Sequence, residues 1–597
     1  MSQGLEVFDQ VQKDEPDLES LVSDWLGRLD AALQGHDARQ LAALFRSDGH
    51  WRNVVGLDRG IGTISGRDRI AEALLRSATR AGAHGFRLAA DRVPVAAGRI
   101  AGEDFVEAML RFETSASTGI AHVRLQPSES GGPRAWTFMT AIDTLKGHDL
   151  ETERLKRDGT AYERDWKGPN WADRRAETAK FADREPTVLV VGGGHAGLTV
   201  AAWLKALNVE TLVVDRTERI GDNWRQRYHV LKLHSPIDAI DLPFMPFPPT
   251  WPKYIPKDKI AAWFESYVDA MEIDYWTKTT FEGADYDEDN RRWNARLRLA
   301  DGSARVVHPM HIIMATSQIG TPVIPNIPAL ARFSGPVLHS SQFKRGQEWA
   351  NKNVLVFGTG TSGHDIAQEL HAHGAHVTMV QRGETEIIQV EPSAHMYLDA
   401  LYQCEGPPVE DRDVIACSVP LSVMRKEHQL LTKVARANDK PLLEGLRRIG
   451  FKLESDPDSP GWPTKYFTRG GGYYFNVGGS DLLVNGDVGL VQYEDIESSE
   501  ANGVKLKDGR VLSCDLVILA TGYKGFDDLV GTLFGDDVAQ HVGPVWGVNP
   551  ETQELSNMWT ETGQPGLWFA GGSFTHSRIY AKYIALQIKK ETLSSSE

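Results

Sequence analysis

The pattern of apolar and polar positions changes twice along the chain. From residue 18 to residue 75, apolar residues recur at helical spacing, which predicts three helices, the last beginning near Ser65 in a capping-box-like sequence. Apolar and polar residues then tend to alternate, and this predicts strands over residues 86–95, 105–112, 120–125 and 136–142. Helices followed by a series of strands are typical of an α+β fold, which we assign to residues 1–150.

From residue 187 onwards, buried-strand runs alternate with helical patterns, as expected of an α/β fold with parallel sheets. The apolar run 187–191 leads into a Gly-x-Gly-x-x-Gly sequence and then into an apolar helix pattern. Gly192 permits a tight turn, Gly194 lets a pyrophosphate approach the backbone, and Gly197 lets helix and strand pack closely. Asp215 ends the next strand about 20 residues later, where an acid accepts hydrogen bonds from a ribose hydroxyl.

The same architecture recurs in the second half of the chain. A strand pattern over residues 353–357 precedes Gly358, Gly360 and Gly363, and the strand after the following helix ends in Arg382. The charge at this place has changed sign, and an arginine suits a 2′-phosphate as an acid suits a free 2′-hydroxyl. Two phosphate-binding turns therefore predict two adenine dinucleotides. The alternative for Arg382 is a solvated charge at the end of a strand.

Charge and cysteine content narrow the class of protein. A chain of 597 residues is expected to hold several domains, and its net charge of −16 argues against broad binding of nucleic acid or anionic membranes. The 3 cysteines include no Cys-x-x-Cys pair, which excludes a disulfide scaffold and a dithiol redox centre. Because we find neither a signal-peptide core nor an apolar run long enough to span a bilayer, we expect a soluble, cytoplasmic protein.

Two histidine-containing clusters invite a catalytic or metal interpretation. One consists of His371, His373 and His376. These residues lie at a predicted helix end without the carboxylate or cysteine spacing of a metal site, and histidines there interact favourably with the helix dipole, so we expect no metal. The other consists of Asp48, His50 and Arg52, for which we prefer polar residues at a rim over catalytic groups.

Residues 333–343 carry the most specific pattern. Phe333, Gly335, His339 and Phe343 fit Phe-x-Gly-x-x-x-His-x-x-x-(Tyr/Phe). This sequence resembles the identifying motif of flavin-containing monooxygenases and stands, as in that family, between two glycine fingerprints. The bona fide Baeyer–Villiger families end the motif in Trp-Pro, whereas this chain has Phe343-Lys344. The resemblance covers about residues 185–597 and places the chain among flavin-containing monooxygenases.

The N-terminal region resembles a different fold family. Leu44-Phe45 leading into His50-Trp51-Arg52-Asn53, after helices and before strands, is similar to the SnoaL-like, nuclear-transport-factor-2-like cone fold. With this extension, the whole chain resembles a bacterial type II flavin-containing monooxygenase. The extension is expected to help assembly or to shape access to the active site. It also makes a homodimer our expectation.

The resemblance implies a domain plan with two Rossmann-like domains. An FAD-binding domain is expected in two parts, over residues 187–345 and 491–597, with an NAD(P)H-binding domain over 346–490 inserted into it. Residues 151–186 are expected to be a linker. In the family, Ala-Thr-Gly-like strand ends mark the crossings between domains. Here they are Ala315-Thr316-Ser317, with serine in place of the usual glycine, and Ala520-Thr521-Gly522.

The resemblance also implies the chemistry. NADPH, with NADH as an accepted alternative in type II members, would reduce FAD, and O2 would then give a C4a-peroxyflavin or hydroperoxyflavin. That species transfers one oxygen atom to a small organic substrate, either by Baeyer–Villiger oxidation of a ketone or by oxygenation of sulfur or nitrogen. Its protonation state decides between these outcomes, and the site must exclude water.

The site residues follow from the motifs and from the resemblance. We expect the dinucleotides to be contacted by Gly192, Gly194, His195, Ala196, Gly197, Asp215, Arg216, Trp224, His234, Gly358, Gly360, Thr361, Ser362, Gly363, Arg382, Thr521, Gly522, Gly571 and Gly572. The catalytic candidates are His234, Gln318 and His339. Two alternatives stay open: Trp224 as a core residue, and His339 as a buried histidine that positions the linker between domains.

Two other functions are compatible with the same residues. The chain could be an NAD(P)H oxidase or reductase that releases H2O2. Alternatively, the N-terminal domain could carry a ligand-binding or isomerase activity on a flavoprotein scaffold. The partners that we expect are a small-molecule substrate and O2.

Overall fold

The computed structural model describes residues 18–128, 132–158, 166–317, 320–399, 401–402 and 406–594. Its first part forms helices beside one mixed sheet of strand order β2-β1-β7-β6-β5-β3, in which β4 also pairs with β5. The elements are α1 (Leu18–Gln34), α2 (Ala38–Ala43), β1 (Phe45–Val54), β2 (Ile61–Ser65), α3 (Arg67–Ala81), β3 (His84–Leu88), β4 (Ala96–Ile100), β5 (Glu103–Glu113), β6 (Ser117–Gln126) and β7 (Arg134–Leu145).

Helices and strands follow the predicted order here, with local corrections. The capping box at Ser65 was wrong, because Ser65 ends β2 and its hydroxyl contacts Nδ1 of His50 at 2.8 Å, while Gly66 begins α3 without a side-chain cap. The strand predicted over residues 86–95 ends at Leu88. β1 was not predicted, since its sequence is rich in polar residues, yet its second half is buried.

The two faces of this sheet have different partners. On one face, the space between α1 and the sheet is filled by Trp25, Phe45 and Phe138, whose rings contact one another edge-on or tilted. On the other face, residues such as Met139 and Ile142 belong to the same apolar core as the next part of the chain. The sheet is thus sandwiched between its own helices and the remainder of the protein.

Residues 150–314 contain two connecting helices, the first parallel sheet and a small antiparallel sheet. The elements are α4 (Leu150–Asp158), α5 (Trp171–Thr178), β8 (Val188–Val191), α6 (His195–Ala206), β9 (Thr211–Val214), α7 (Asp222–Arg225), α8 (Lys257–Ala270), β10 (Asp274–Trp276), β11 (Thr280–Asp287), β12 (Arg292–Arg298), β13 (Ala304–Val307) and β14 (His311–Met314). The proline-rich stretch after Leu242 is an ordered loop, as its sequence predicts. Asp241 accepts hydrogen bonds there from the backbone of Leu242 and Phe247, at 2.9 and 2.6 Å.

The remaining elements build the second parallel sheet and then return to the first. They are β15 (Thr321–Pro322), β16 (Val337–His339), β17 (Asn353–Phe357), α9 (Thr361–Ala372), β18 (His376–Gln381), β19 (Glu386–Gln389), α10 (Met396–Asp399), α11 (Val409–Cys417), α12 (Leu421–Asn438), α13 (Lys440–Arg448), α14 (Trp462–Arg469), β20 (Tyr473–Asn476), α15 (Gly479–Asn485), β21 (Gly489–Gln492), β22 (Ile496–Glu500), β23 (Gly503–Leu506), β24 (Val511–Ser513), β25 (Leu516–Leu519), β26 (Tyr523–Lys524), α16 (Phe526–Phe534), α17 (Asp536–Val542), β27 (Leu567–Phe569) and α18 (Phe574–Ser594).

The order of strands shows how the two parallel sheets are connected. The first runs β10-β9-β8-β14-β27 and the second β16-β25-β17-β18-β21, so the second is inserted between β14 and β27. At the crossings, β15 and β26 pair with each other in an antiparallel ribbon. The α/β prediction with Rossmann-type sheets is therefore confirmed. The residue limits of the domains remain a prediction; β16 and β25, from the ranges assigned to the FAD-binding domain, pair within the second sheet.

Within the described ranges, no helix is long and apolar enough to cross a membrane. The same residues include no group of three or more His, Cys, Asp or Glu side chains placed to hold a metal ion.

Candidate functional site

The first glycine turn, between β8 and α6, presents bare backbone because side chains do not fit there. Gly192 has φ +107°, and a Cβ atom on it would lie 2.6 Å from the carbonyl oxygen of Ala315. A Cβ on Gly197 would clash with the carbonyl of Gly192. Gly194 is the N-cap of α6, and Ala196 is buried in its first turn. Backbone amides at the start of a helix are suited to a phosphate group.

Asp215 lies at the end of β9, beside this turn. It accepts hydrogen bonds from the backbone amides of Gly193 (2.7 Å) and Thr217 (2.8 Å), and from the Thr217 hydroxyl. Arg216 is exposed next to it. The ring of Tyr275 covers the turn so closely that a Cβ on Gly193 would clash with its hydroxyl. Asp215 thus braces the turn and also lies where a bound ribose is expected.

His195 fastens the first turn to the last part of the chain. Its Nε2 donates a hydrogen bond of 2.8 Å to the carbonyl oxygen of Gly572, just after β27, and its ring stacks on Phe574 at 4.4 Å. Burial lowers the pKa of His195, while the bond to Gly572 acts in the opposite direction. The bond brings Gly571 and Gly572 against the turn, and the ring of Trp224 lies 6.4 Å from His195.

Buried polar atoms around the first turn test whether a dinucleotide fits. Trp224 Nε1 and the Thr316 hydroxyl are buried and form no hydrogen bond with any described residue. Such groups are normally paired in a folded protein. Bare amides together with unpaired donors fit a phosphate- and hydroxyl-bearing ligand, and the residues present therefore fit a dinucleotide such as FAD.

The second glycine turn repeats this geometry between β17 and α9. Gly358 has φ +113°, and a Cβ on it would clash with the carbonyl of Ala520, the counterpart of Ala315. A Cβ on Gly363 would likewise clash with Gly358. Gly360 is the N-cap of α9, and Thr361 donates from its hydroxyl to the carbonyl of Tyr473 at 3.3 Å. Ser362 is partly exposed in the first turn of α9, and Arg382 is exposed after β18. A second dinucleotide fits here on the same physical grounds.

The two crossings share one backbone conformation. Ser317 has φ +70° and Gly522 has φ +84°. Thr521 donates from its hydroxyl to the carbonyl of Val323 at 2.6 Å, which ties the crossings together. A serine here adopts the left-handed conformation that glycine adopts at no steric cost. Gln318 lies outside the described residues.

His339 ends β16 and is fully engaged by neighbouring groups. Its Nε2 donates to the carbonyl oxygen of Gly522 at 3.1 Å, and its Nδ1 pairs with the Ser341 hydroxyl at 2.9 Å. The ring of Tyr523 packs edge-on at 5.1 Å. With both nitrogens engaged, His339 fastens the second crossing, an arrangement that favours the positioning alternative over proton transfer.

His234 lies in the loop between α7 and α8, at the contact with the second sheet. Its side chain is 17% exposed, its Nε2 lies 3.9 Å from Oδ2 of Asp365, and its ring is 5.6 Å from that of Phe475. Its Nδ1 is buried and has no hydrogen-bond partner among the described residues. Of the catalytic candidates that the structure describes, His234 is therefore the one with a ring nitrogen still available to a ligand.

A cluster of aromatic rings that the sequence did not reveal surrounds Gly572. Tyr466 packs on Trp546 at 5.5 Å, and Phe467 lies edge-on to His576 at 5.3 Å. Burial lowers the pKa of His576 to about 4, so the ring is neutral at physiological pH. These residues come from α14, α18 and the loop before β27, and no local motif announces residues that only folding brings together.

Tyr580 extends the cluster to the N-terminal sheet. Its ring lies parallel to His576 at 6.2 Å, and its hydroxyl accepts a hydrogen bond of 3.0 Å from Arg52. Arg52 is buried and pairs with both carboxylate oxygens of Glu554, at 2.7 and 2.6 Å. The rim interpretation of Arg52 was wrong, because β1 faces the rest of the protein rather than solvent.

The first comparison with known proteins concerns a protein family. The family described as pyridine nucleotide-disulphide oxidoreductase matches residues 189–405. This range includes both glycine turns and the elements β17, α9 and β18 of the second half. That range contains Cys404 as its only cysteine, and Cys404 lies outside the described residues. A disulfide centre needs two thiols, so the match concerns the nucleotide-binding fold.

Curated relatives extend the comparison to function. The chain is 32% identical to probable indole-3-pyruvate monooxygenase YUCCA4 of Arabidopsis thaliana over 344 residues, which cover 57% of this chain and 76% of that protein. It is 30% identical to indole-3-pyruvate monooxygenase YUCCA1 of Oryza sativa subsp. japonica over 343 residues, covering 57% and 77%.

Solved structures agree at the level of the fold. A cyclohexanone monooxygenase variant from Rhodococcus sp. Phi1, bound to NADP+, is similar with a TM-score of 0.50 and 16% identity, over 69% of this chain and 86% of that one. Cyclohexanone monooxygenase bound to ε-caprolactone matches with a TM-score of 0.50 and 17% identity, over 69% and 88%.

Proposed function

Because this chain belongs to the family of flavin-dependent monooxygenases, we propose that it binds FAD and NAD(P)H and transfers one oxygen atom of O2 to a small organic substrate. The observation that carries the proposal is the pair of bare glycine turns at Gly192 and Gly358, each backed by the carbonyl of an alanine at a chain crossing. Two turns of this kind hold two dinucleotides, whereas a simple reductase fold has no need of the identifying motif around His339.

The residues of the first turn would hold FAD. Gly192, Gly194 and Gly197 leave the amides of α6 open to the pyrophosphate, and Asp215 accepts from the ribose. Trp224 and Thr316 supply buried donors that no described residue pairs. When bound, flavin supplies hydride acceptance and activation of O2. The protein's own part is to bind, orient and keep water away.

The second turn and Arg382 support NADPH as the reductant. Arg382 forms no ion pair or hydrogen bond with a described residue, and it follows β18 at the place where a 2′-phosphate is recognised. A planar guanidinium binds phosphate in a bidentate manner. NADH, which lacks this phosphate, would bind without that contact and is an accepted alternative in our proposal.

The aromatic cluster around Gly572 supports an apolar substrate with a carbonyl, sulfur or nitrogen centre. Tyr466, Phe467 and Trp546 provide an apolar wall, while neutral His576 offers a hydrogen bond. The relatives are named for indole-3-pyruvate and the structural neighbours for cyclohexanone, both of which are carbonyl compounds. Baeyer–Villiger oxidation of ketones, with sulfur and nitrogen oxygenation as parallel activities, is therefore the reaction that we propose.

The N-terminal sheet, which we propose to be SnoaL-like, contributes through contact rather than chemistry. The packing of Trp25, Phe45 and Phe138 fills the space between α1 and the sheet. Arg52 reaches Tyr580 instead, and through it the aromatic cluster. This arrangement favours a role in shaping the site over an independent isomerase activity.

Product analysis tests the proposal. The purified, FAD-loaded protein is given cyclohexanone or a thioether such as thioanisole with NADPH, then with NADH, while O2 uptake, product and H2O2 are measured. We expect an ester or sulfoxide in near-stoichiometric ratio to O2 consumed. NAD(P)H consumption that yields only H2O2 would make the chain an oxidase, and a protein that stays colourless with FAD would end the proposal.

A further inference from the structure

One buried side chain joins the two dinucleotide-binding halves at His234. Asp365 lies in the first turns of α9, two residues after Gly363, and its side chain is 11% exposed. Tyr228, in the loop after α7, donates from its hydroxyl to Oδ2 of Asp365 at 2.6 Å. The same Oδ2 faces Nε2 of His234 at 3.9 Å. A carboxylate from the second half thus lies between two side chains from the first.

The contacts favour one tautomer of His234. Oδ2 of Asp365 accepts from Tyr228 and also lies 3.9 Å from Nε2 of His234, and a carboxylate oxygen favours an N–H directed towards it, so we assign the proton to Nε2. Nδ1 is then an acceptor, and it is the buried atom without a partner among the described residues. Burial raises the pKa of Asp365, while His234 and the Tyr228 hydroxyl act in the opposite direction.

The other neighbours restrain His234. His395 donates from Nε2 to the backbone carbonyl of His234 at 3.3 Å, and the ring of Phe475 limits the rotation of the His234 ring. Behind His395 lie Glu391, at 3.9 Å from its Nδ1, and the Tyr254 hydroxyl, at 3.4 Å from its Nε2. An imidazole with a constrained backbone and a specified tautomer presents a fixed acceptor.

We propose that Asp365 and Tyr228 are positioning residues that hold His234 so that its Nδ1 accepts a hydrogen bond from an N–H group of the bound dinucleotides. This inference rests on the proposed function. The shared chemistry is an N–H donor, which the carboxamide of the nicotinamide or the flavin ring can supply. Because Asp365 lies only two residues after Gly363, occupation of the second glycine turn would be linked to the orientation of His234.

Binding measurements on three variants test the inference without relying on turnover. Asp365→Asn removes the carboxylate that orients Nε2, Tyr228→Phe removes the hydroxyl that holds the carboxylate, and His234→Gln removes the imidazole. Tyr397→Phe is the matched control, since its hydroxyl contacts Thr432 and not the site. For each FAD-loaded variant, Kd for NADP+ is measured from the flavin absorbance change, together with the flavin midpoint potential, the Kd of FAD and the thermal midpoint.

We expect Asp365→Asn either to raise the Kd for NADP+ about tenfold or to shift the flavin midpoint potential. Tyr228→Phe should change the same quantity by a smaller amount. A weakened NADP+ complex assigns the donor to the nicotinamide, and a shifted flavin potential assigns it to the flavin. Because both residues act through His234, the double variant with His234→Gln should be no worse than His234→Gln alone.

Additive effects in the double variants would overturn the inference, and so would Asp365→Asn with unchanged NADP+ affinity and flavin potential. If Asp365→Asn loses thermal stability while its NADP+ affinity and flavin potential stay unchanged, the role of Asp365 is purely structural. That result also overturns the inference. If the wild-type protein binds no FAD at all, the proposed function fails first, and the two failures are thereby distinguished.

Discussion

At the residue scale, a single methyl group tests each glycine turn. In Gly197→Ala and Gly363→Ala the new Cβ would clash with a backbone carbonyl of the same turn, so the turn must open. Overpacking of this kind costs about 1–3 kcal/mol. We expect Gly197→Ala to weaken FAD binding by tenfold or more. Gly363→Ala should retain FAD and raise the KM for NADPH. Flavin content and steady-state kinetics check both expectations.

Gly27→Ala is the control for this pair. Gly27 lies inside α1, where a Cβ meets no atom within 4 Å and alanine favours the helix. Its cofactor binding should equal that of the wild type. If Gly363→Ala loses FAD while Gly197→Ala keeps it, the assignment of the two turns is reversed.

A second residue-scale prediction concerns pH. Burial raises the pKa of Glu591 on α18 from 4.5 to about 7, with Glu561 adding repulsion. Between these values the folded protein holds a proton that the unfolded chain has lost, so stability falls as pH rises through this window. We expect Glu591→Gln to unfold at a higher temperature than wild type at pH 8 and at the same temperature near pH 4.5.

The size of this effect is limited by solvent. The Glu591 side chain is 31% exposed and faces His311 at 3.9 Å, so we expect a gain of about 1–2 kcal/mol at pH 8 rather than the full value of the pKa shift. His311 has a pKa of about 4 through burial and stays neutral across the window. A Glu591→Gln advantage that is equal at pH 5 and pH 8 would contradict this account.

At this scale the sequence was informative where chemistry is local. The glycines and Asp215 are tied to one another by spacing along the chain, so a single sequence suffices to predict their proximity. Tyr466, Trp546 and His576 meet only because α14, α18 and a loop converge, and their proximity has no counterpart in sequence spacing.

At the element scale, β1 is attached to the rest of the protein by a buried ion pair. Arg52 and Glu554 are 4% and 6% exposed, and Glu554 also accepts from the Thr63 hydroxyl. Removing one member of a buried pair leaves an unpaired charge and costs about 3–5 kcal/mol. We expect Arg52→Met to lower the thermal midpoint strongly and Arg52→Met with Glu554→Met to recover much of the loss.

The exposed pair of Arg510 and Asp508 is the comparison. Its side chains are 69% and 51% exposed, so Arg510→Met should change stability by less than about 1 kcal/mol. If Arg52→Met is as mild as Arg510→Met, the pair does not hold β1 in place. An altered substrate preference in Tyr580→Phe, which removes the acceptor of Arg52, would connect this pair to the aromatic cluster.

Elements were predicted well where a single hydrophobic period, helical or alternating, or a continuous apolar run fills the whole segment. α1 and the strands β8 and β17, which lead into the two glycine turns, follow their apolar pattern closely. β1 was not found because a polar residue such as Arg52 is buried against partners elsewhere in the chain rather than turned to solvent. Burial of that kind is a tertiary property that periodicity does not carry.

At the scale of the whole molecule, the N-terminal sheet completes an apolar core. Val54, Met139 and Ile142 pack in the same core as the first parallel sheet, and Lys582 on α18 pairs with Asp143 at 2.7 Å. Removing residues 1–149 would expose this surface. We expect the truncated protein to aggregate or to lose FAD, measured by size-exclusion chromatography and by flavin absorbance.

A soluble truncated protein with unchanged oxygenation rate and substrate preference would contradict this prediction and leave the N-terminal sheet without a role in the site. As a control, the N-terminal segment is added separately to the truncated protein. Recovery of solubility or of FAD content would show that the loss came from the missing contact surface. The insertion of one parallel sheet within the other was predicted from the resemblance of the motifs, whereas the close attachment of the N-terminal sheet was not, because its contacts join residues hundreds of positions apart.

The short ribbon of β15 and β26 has a mechanical consequence. Both chain connections between the parallel sheets pass through it side by side, and His339 secures one of them to the carbonyl of Gly522. Because the two covalent connections lie side by side, they restrain rotation about the line through them less than other rotations, and the hydrogen bond between Tyr228 and Asp365 opposes that rotation. A swing of the second sheet about this line would carry a ligand at Gly358 along one arc relative to a ligand at Gly192.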